Sequence, residues 1–179
     1  MKKLKLSLLP AFLAVALIAP FPFTAQADIQ VGFSPEGSAL KLVLSTTGNA
    51  KESIRLMAYS FTSPDVVKSL LDAHRRGVDV RVVVDRNGNK SKASIAALNL
   101  LVNAGIPTRT IATYKIHHDK VIIVDGKTTE TGSFNYSRAA DRSNSENVIV
   151  IRDNPDVAKI YLSHWQSRWE QGQDWTSTY

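Results

Sequence analysis

His118, Lys120, Asp125, Gly132, Ser133 and Asn135 fall in the order H-x-K-x4-D-x6-G-S-x-N. These side chains make up a kit for attacking a phosphate diester. The imidazole supplies a nucleophile that works near neutral pH, and the ammonium two residues on supplies a fixed positive charge for a non-bridging oxygen. In an extended run, positions two apart point the same way, so His118 and Lys120 reach one ligand while Asp119 and Val121 turn from it. A lone His-x-Lys is ordinarily a solvated strand edge. The added spacing to Gly132-Ser133-x-Asn135 is what makes it a catalytic candidate.

The elements that position this run begin after a leader. Lys2, Lys3 and Lys5 precede an apolar stretch from Leu6 to Phe23, and Ala25-Gln26-Ala27 matches a small-x-small cleavage site, so residues 1–27 read as a secretory signal. Pro10, Pro20 and Pro22 interrupt the stretch and count against a retained membrane anchor. The chain from Asp28 to Tyr179, about 150 residues, is one catalytic domain with a proper core and is too short for two. No cysteine is present, which excludes disulfides, thiolate zinc sites and a lipidated amino-terminal cysteine. The leader carries three of the 22 basic residues and none of the 16 acidic ones, which lowers the net charge from +6 to +3. That surplus permits a polyanionic substrate without requiring one.

Apolar runs then alternate with helical patterns. Ile29 to Phe33, Ile54 to Phe61 and Val78 to Val84 read as strands, and Ser38 to Thr46 as a helix. Ser63-Pro64 opens a second helix that stops at Gly77, and Ala93 to Ala104 forms a third, closed by Gly105. Asp85 to Asn89 reads as a polar loop. From Pro107 the apolar segments Thr108 to Ala112, Val121 to Val124 and Val148 to Ile151 are joined by short loops, with Asp125-Gly126 a turn. Pro155 opens a last helix lined on one side by Val157, Ile160, Tyr161, His164, Trp165 and Trp169. The expected fold is α/β, a mixed and largely parallel central sheet with helices on both faces.

The run from Ile116 to Asn135 resembles the HKD signature of the phospholipase D superfamily. The likeness extends to Val31-Gly32-Phe33-Ser34-Pro35, Ala58-Tyr59-Ser60-Phe61-Thr62 and Ser143-Asn144-Ser145-Glu146-Asn147-Val148, which are similar to the small bacterial Nuc-type secreted endonucleases over nearly the whole mature length. The resemblance implies a phospholipase D-like α-β-α sandwich with His118 as nucleophile through a phosphohistidine. It casts Glu146 as the carboxylate that orients the imidazole. Lys120, Ser133 and Asn135 would hold the phosphate oxygens, each donor contributing on the order of 3 kcal/mol to the transition state. Asp125 would serve the scaffold by bonding nearby backbone at its turn. Gly132 would allow a close backbone approach, and Phe134 would pack beneath the site.

One imidazole is not enough. The oxygen leaving in the first step needs a proton from the opposite side of the phosphorus, and this chain carries one HKD copy where larger relatives carry two. A two-fold homodimer sharing the site is therefore expected. No cofactor is implied: His117 and His118 are adjacent, point to opposite faces and do not readily share a metal ion. His117 reads as structural or substrate-lining and His164 as packed or interfacial. Trp165 and Trp169 read as helix packing, and Trp175 could stack a base. Of the basic residues, the loop from Asp85 to Lys92 could track a phosphate backbone if it borders the cleft. Asp119 stands where asparagine is expected from the resemblance, and if it bent toward His118 it would favour the imidazolium and slow attack.

The expected activity is metal-independent hydrolysis of DNA, and of RNA, with little sequence preference, in the periplasm or outside the cell. The alternative is a phospholipase D-type hydrolase or transferase acting on phospholipid. The mature chain offers no membrane-type amphipathic segment to favour that alternative. A binding module without turnover would require a broken motif, and nothing in the motif is broken.

Overall fold

The computed structural model describes residues 28–178, so the leader lies outside it. The chain order is β1 (Asp28–Ser34), α1 (Ser38–Gly48), β2 (Ser53–Ala58), α2 (Pro64–Arg75), β3 (Asp79–Asp85), a short 3-10 turn (Asn87–Asn89), α3 (Lys92–Asn103), β4 (Thr108–Ile111), β5 (Lys120–Val124), β6 (Thr128–Gly132), α4 (Arg138–Arg142), β7 (Glu146–Arg152), α5 (Pro155–Gln171) and β8 (Gln173–Asp174). One sheet runs β1-β7-β6-β5-β2-β3-β4-β8.

The mixed sheet with helices on both faces is as expected, but it is mostly antiparallel. Only β2–β3 and β3–β4 pair in parallel. The reason is connection length: a parallel pair needs a helical crossover, which α2 and α3 provide, whereas the Asp125-Gly126 turn folds β5 directly back onto β6. The first strand-helix-strand unit does not pair with itself either, because β1 crosses to the far edge and lies antiparallel to β7.

Helix starts follow local chemistry. The Ser63 hydroxyl accepts from the Val66 amide with Pro64 in the first turn, and the Ser91 hydroxyl accepts from Ser94. On one face of the sheet, Val43, Val66, Leu70, Leu98 and Leu101 from α1, α2 and α3 bury against Ile54, Leu56, Val82, Ile122 and Val150. On the other face α5 lays Ala158, Trp165 and Trp169 on Met57, Val83, Val121 and Ile123. Trp165 and Trp169 stack at 5.1 Å, and Trp165 Nε1 donates to the Leu56 carbonyl at 3.0 Å. Ile160, expected on the packed side of this helix, is 70% exposed. Trp175 packs half-buried at the sheet edge, with its Nε1 donating to Asn99 Oδ1 at 2.8 Å.

β6 has no apolar run in the sequence, yet Thr128, Thr129 and Glu130 are buried. Tyr136 donates its hydroxyl to Glu130 Oε2 at 2.7 Å. Burial pushes the Glu130 carboxyl up from 4.5 to about 8, with the tyrosine bond opposing. The unfolded chain releases this proton above 4.5 while the folded chain holds it to about 8, so across that window the native state binds more protons and stability falls as pH rises. The slope from this one group is about 1.4 kcal/mol per pH unit. Glu130→Gln is expected to flatten the pH dependence of the melting temperature in that range, as measured by thermal unfolding at a series of pH values. An unchanged slope would place its source elsewhere.

Candidate active site

Strand direction builds the site. β2, β3, β4 and β6 run one way and β5 and β7 the other, so the carboxyl ends of the first group meet the amino ends of the second. Tyr59 follows β2, Asp85 closes β3, His118 stands just before β5, Gly132 closes β6 and Glu146 opens β7. His118, Lys120, Gly132, Ser133, Asn135 and Glu146 line one solvent-open pocket of about 400 Å³. A larger hollow of about 550 Å³ at the opposite end is walled by Arg81, Arg109, Trp169 and Asp174. Its guanidiniums are already paired with Asp79 and Asp174.

The His118 ring is exposed and lies against the Tyr59 ring at 4.8 Å. Lys120 is 5% exposed, and its Nζ donates to the His118 carbonyl at 2.7 Å, which anchors the ammonium beside the imidazole. Burial draws the Lys120 pKa down, against the charges of Asp119 and Glu146. Ser133 donates to Glu146 Oε2 at 2.5 Å, and its oxygen accepts from the Asn147 amide at 3.1 Å. Glu146 Oε1 accepts from Asn144 Nδ2 at 2.9 Å. The carboxylate expected to orient the imidazole is thus committed to Ser133 and Asn144, because register places Glu146 beside the end of β6. Neither ring nitrogen of His118 is hydrogen-bonded to a described residue.

Asn135 lines the pocket wall, and its Oδ1 is buried without a hydrogen-bond partner among the described residues. Phe134 packs beneath, 1% exposed. Gly132 permits a close approach, but to the protein itself: a Cβ there would lie 2.2 Å from the Asn147 carbonyl oxygen. That contact lets Ser133 sit over β7.

Asp125 is not in this pocket. It lies past the other end of β5, roughly 20 Å away by strand rise, and its carboxylate accepts from the backbone amides of Lys51, Glu52 and Ser53 at 2.8–2.9 Å. Burial works to raise its pKa, but those bonds hold it below the ordinary carboxylate value. Its role is scaffolding, as expected, although the backbone it ties is the turn before β2 and not its own. It is therefore not a catalytic residue.

Asp119 turns away from His118. Its Oδ2 lies 3.1 Å from His117 Nδ1 and 3.3 Å from His164 Nε2. The His117 contact is close in distance but oblique, since neither nitrogen of that buried ring makes a well-aligned hydrogen bond among the described residues. Contact first with His117 and then with His164, against burial, holds the Asp119 carboxyl at about 2. A carboxyl lowered from 3.8 contributes stability above that value and loses it as pH falls toward 2. Asp119→Asn is expected to leave the rate and pH profile of diester cleavage within about threefold of wild type. It should also lower the neutral-pH melting temperature by a few degrees, on the order of 1 kcal/mol. A shifted pH profile would mean that Asp119 does act on His118.

The polar loop after β3 borders the site. Asp85, placed in that loop by the sequence reading, instead ends the strand buried, accepting from the His117 and Gly88 amides at 2.8 and 2.6 Å. Gly88 lies so close to Tyr59 that a Cβ would meet its ring at 2.8 Å. Arg75, Arg76, Arg81 and Arg86 are engaged with neighbouring groups, while Lys90 and Lys92 are exposed and have no partner among the described residues. The roles of Tyr59, Asn144 and Asn147 at the site were not legible in the motif, although all three fall in the segments that carried the resemblance.

Fold and pocket together define a phospholipase D-like domain. The family profile described as "Cardiolipin synthase, PLD-like domain" matches residues 43–169. The chain belongs to the phospholipase D superfamily and is an enzyme of the phosphodiesterase type. Among solved structures it is similar to Nuc, a phospholipase D family member from Salmonella typhimurium, with 56% identity and a TM-score of 0.84 over 85% of this chain and 100% of that one. It is 38% identical to a phospholipase D of Rickettsia bellii over 80% of this chain and 70% of the relative. A mitochondrial cardiolipin hydrolase of Xenopus laevis is 34% identical over 75% of this chain and 62% of its own length.

Proposed function

We propose that this protein is a metal-independent phosphodiesterase that hydrolyses DNA, and also RNA, with little sequence preference, at an active site shared by two copies of the chain. The observation that carries this reading is the convergence of His118, Lys120, Ser133, Asn135 and Glu146 on one open pocket. The likeness to Nuc over the whole of that chain supports it. Lys90 and Lys92, beside the site, suit contacts to a phosphate backbone, which give affinity without sequence preference.

In the first step the His118 imidazole attacks phosphorus, forming a P–N bond as the P–O ester bond breaks. The departing oxygen takes a proton from His118 of the partner subunit. In the second step that imidazole, now neutral, takes a proton from water as the oxygen attacks phosphorus, and the P–N bond breaks. Lys120 and Asn135 stabilise the non-bridging oxygens, and Glu146 holds Ser133 in place beneath them.

Pairing of two copies is supported by one surface. Ile29, Val31 and Phe33 on β1 are 58%, 54% and 53% exposed, and opposite them in register stand Ile151, Ile149 and Asn147 of β7. α5 packs over β2, β4, β5 and β6 and leaves this apolar stripe uncovered. The stripe runs toward Glu146, so a two-fold axis there would face one pocket to its mate. The leader, outside the described residues, would direct the protein to the periplasm or beyond.

Digestion of plasmid DNA by the purified chain from Asp28, in excess EDTA, tests the reading. Undiminished cleavage is expected, and abolition by EDTA would overturn metal independence. The names of the Rickettsia and Xenopus relatives favour a phospholipid substrate, and an apolar groove of about 350 Å³ walled by Val67, Leu71, Ala96 and Leu100 offers a surface of matching polarity. Choline release from phosphatidylcholine vesicles without DNA cleavage would decide for that alternative.

A further inference from the structure

Tyr59 holds a place that the reaction scheme does not use. Its ring lies 4.8 Å from the His118 ring, tilted by 52°, and the Lys120 ammonium stands 5.5 Å from its centroid. The ring is backed by Gly88, where a Cβ would press on it at 2.8 Å. Its backbone is clamped as well: the Tyr59 amide donates to the Asp119 carbonyl at 3.0 Å, and its carbonyl accepts from Asn89 Nδ2 at 2.6 Å. Asn89 is buried and also binds the Phe61 amide and the Asp85 carbonyl, so the platform stands on three strand ends.

The two groups that would do the chemistry are otherwise loosely held. The exposed imidazole has no hydrogen bond to a described residue on either ring nitrogen, and Glu146, the expected orienting carboxylate, is spent on Ser133 and Asn144. An exposed side chain free to change rotamer would seldom point at phosphorus, and misplacement by about 1 Å costs on the order of a hundredfold in rate. An aromatic face also attracts a cation, which suits both a lysine that must stay charged in a partly buried pocket and an imidazole that passes through a cationic state.

We infer that Tyr59 is the positioning residue of this active site: its ring, through the face and edge and not through the hydroxyl, holds the His118 imidazole in its attacking rotamer and keeps the Lys120 ammonium beside it. The inference rests on the assignment of His118 as nucleophile. It differs from the role the resemblance gives Glu146 in placing the orienting element just past the carboxyl end of β2. Because the ring does not reach for the substrate, its removal should act on turnover and not on binding.

The test compares Tyr59→Phe with Tyr59→Leu in the full mature chain, using cleavage of a short DNA duplex and the proton spectrum of the histidine rings. Tyr59→Phe is expected to keep kcat within about threefold of wild type. Tyr59→Leu should lower kcat by about tenfold to a hundredfold with KM changed less than threefold. The upfield ring-current displacement of the His118 imidazole protons should persist in the phenylalanine variant and vanish in the leucine variant. That displacement reads the contact whether or not the protein cleaves DNA, so failure of the nucleophile assignment is distinguishable from failure of this inference. Equal loss of kcat in both variants would assign the effect to the hydroxyl and overturn it. So would a leucine variant with wild-type turnover, or one whose loss lies in KM. If the leucine variant fails to melt cooperatively, Tyr59→Met carries the same expectation, because it fills the space without a ring.

Discussion

His118→Ala is expected to lower DNA cleavage by on the order of 10⁴-fold or more, with affinity for a short duplex changed by less than about threefold. The size of the loss follows from covalent chemistry. Without the imidazole there is no nucleophile and no phosphohistidine, and in a shared site both the attacking group and the proton donor disappear together. Binding survives because affinity for a polyanion comes mainly from lysine and arginine contacts with phosphates, and Lys90, Lys92 and Lys120 remain. Stability should be unchanged, since the ring is exposed. Initial rates on supercoiled plasmid and fluorescence anisotropy with labelled duplex measure the two quantities. Residual cleavage within a hundredfold of wild type would remove His118 from the role of nucleophile.

The double variant Val31→Asp, Phe33→Asp is expected to be a folded, inactive monomer. Both side chains project into solvent from an edge strand, so two aspartates cost little in the isolated chain. In a two-fold interface each charge would be desolvated and would face its symmetry mate, which should weaken association by at least about a hundredfold. Activity should fall in step with dimer content, as followed by sedimentation velocity and plasmid cleavage on the same samples. Mixed dimers sharpen the point. When wild type and His118→Ala are co-refolded, a pair with one imidazole has either nucleophile or acid but not both, so activity should follow the square of the wild-type fraction. A linear dependence, or a fully active monomer of the aspartate variant, would show that one imidazole suffices.

Much of the site could be read in one dimension because its chemistry is local. His118 and Lys120 share a face by strand alternation, and Gly132-Ser133-x-Asn135 follows one hairpin later, so their convergence needs only the β5–β6 turn at Asp125-Gly126. Helix limits were legible for the same reason, since Ser63-Pro64 and Gly77 act on their nearest neighbours. β6 escaped notice because its burial is carried by Thr128, Thr129 and a Glu130 kept neutral by that burial, which give no apolar signal.

What remained hidden depends on which distant strand ends up alongside. The direction of the sheet, the commitment of Glu146 to Ser133, the reach of Asp125 to the turn before β2 and the backing of His118 by Tyr59 are set by register between segments far apart in the chain. The same holds for the exposure of Ile160 and of the β1 stripe, which turns on where α5 happens to lie. Residue type and short spacing determined that an imidazole and an ammonium, His118 and Lys120, face one pocket. Only the packed sheet decided which ring lies against that imidazole and which apolar stripe is left bare, because hydrogen bonds and burial between remote strands are properties of the whole core and of no single segment.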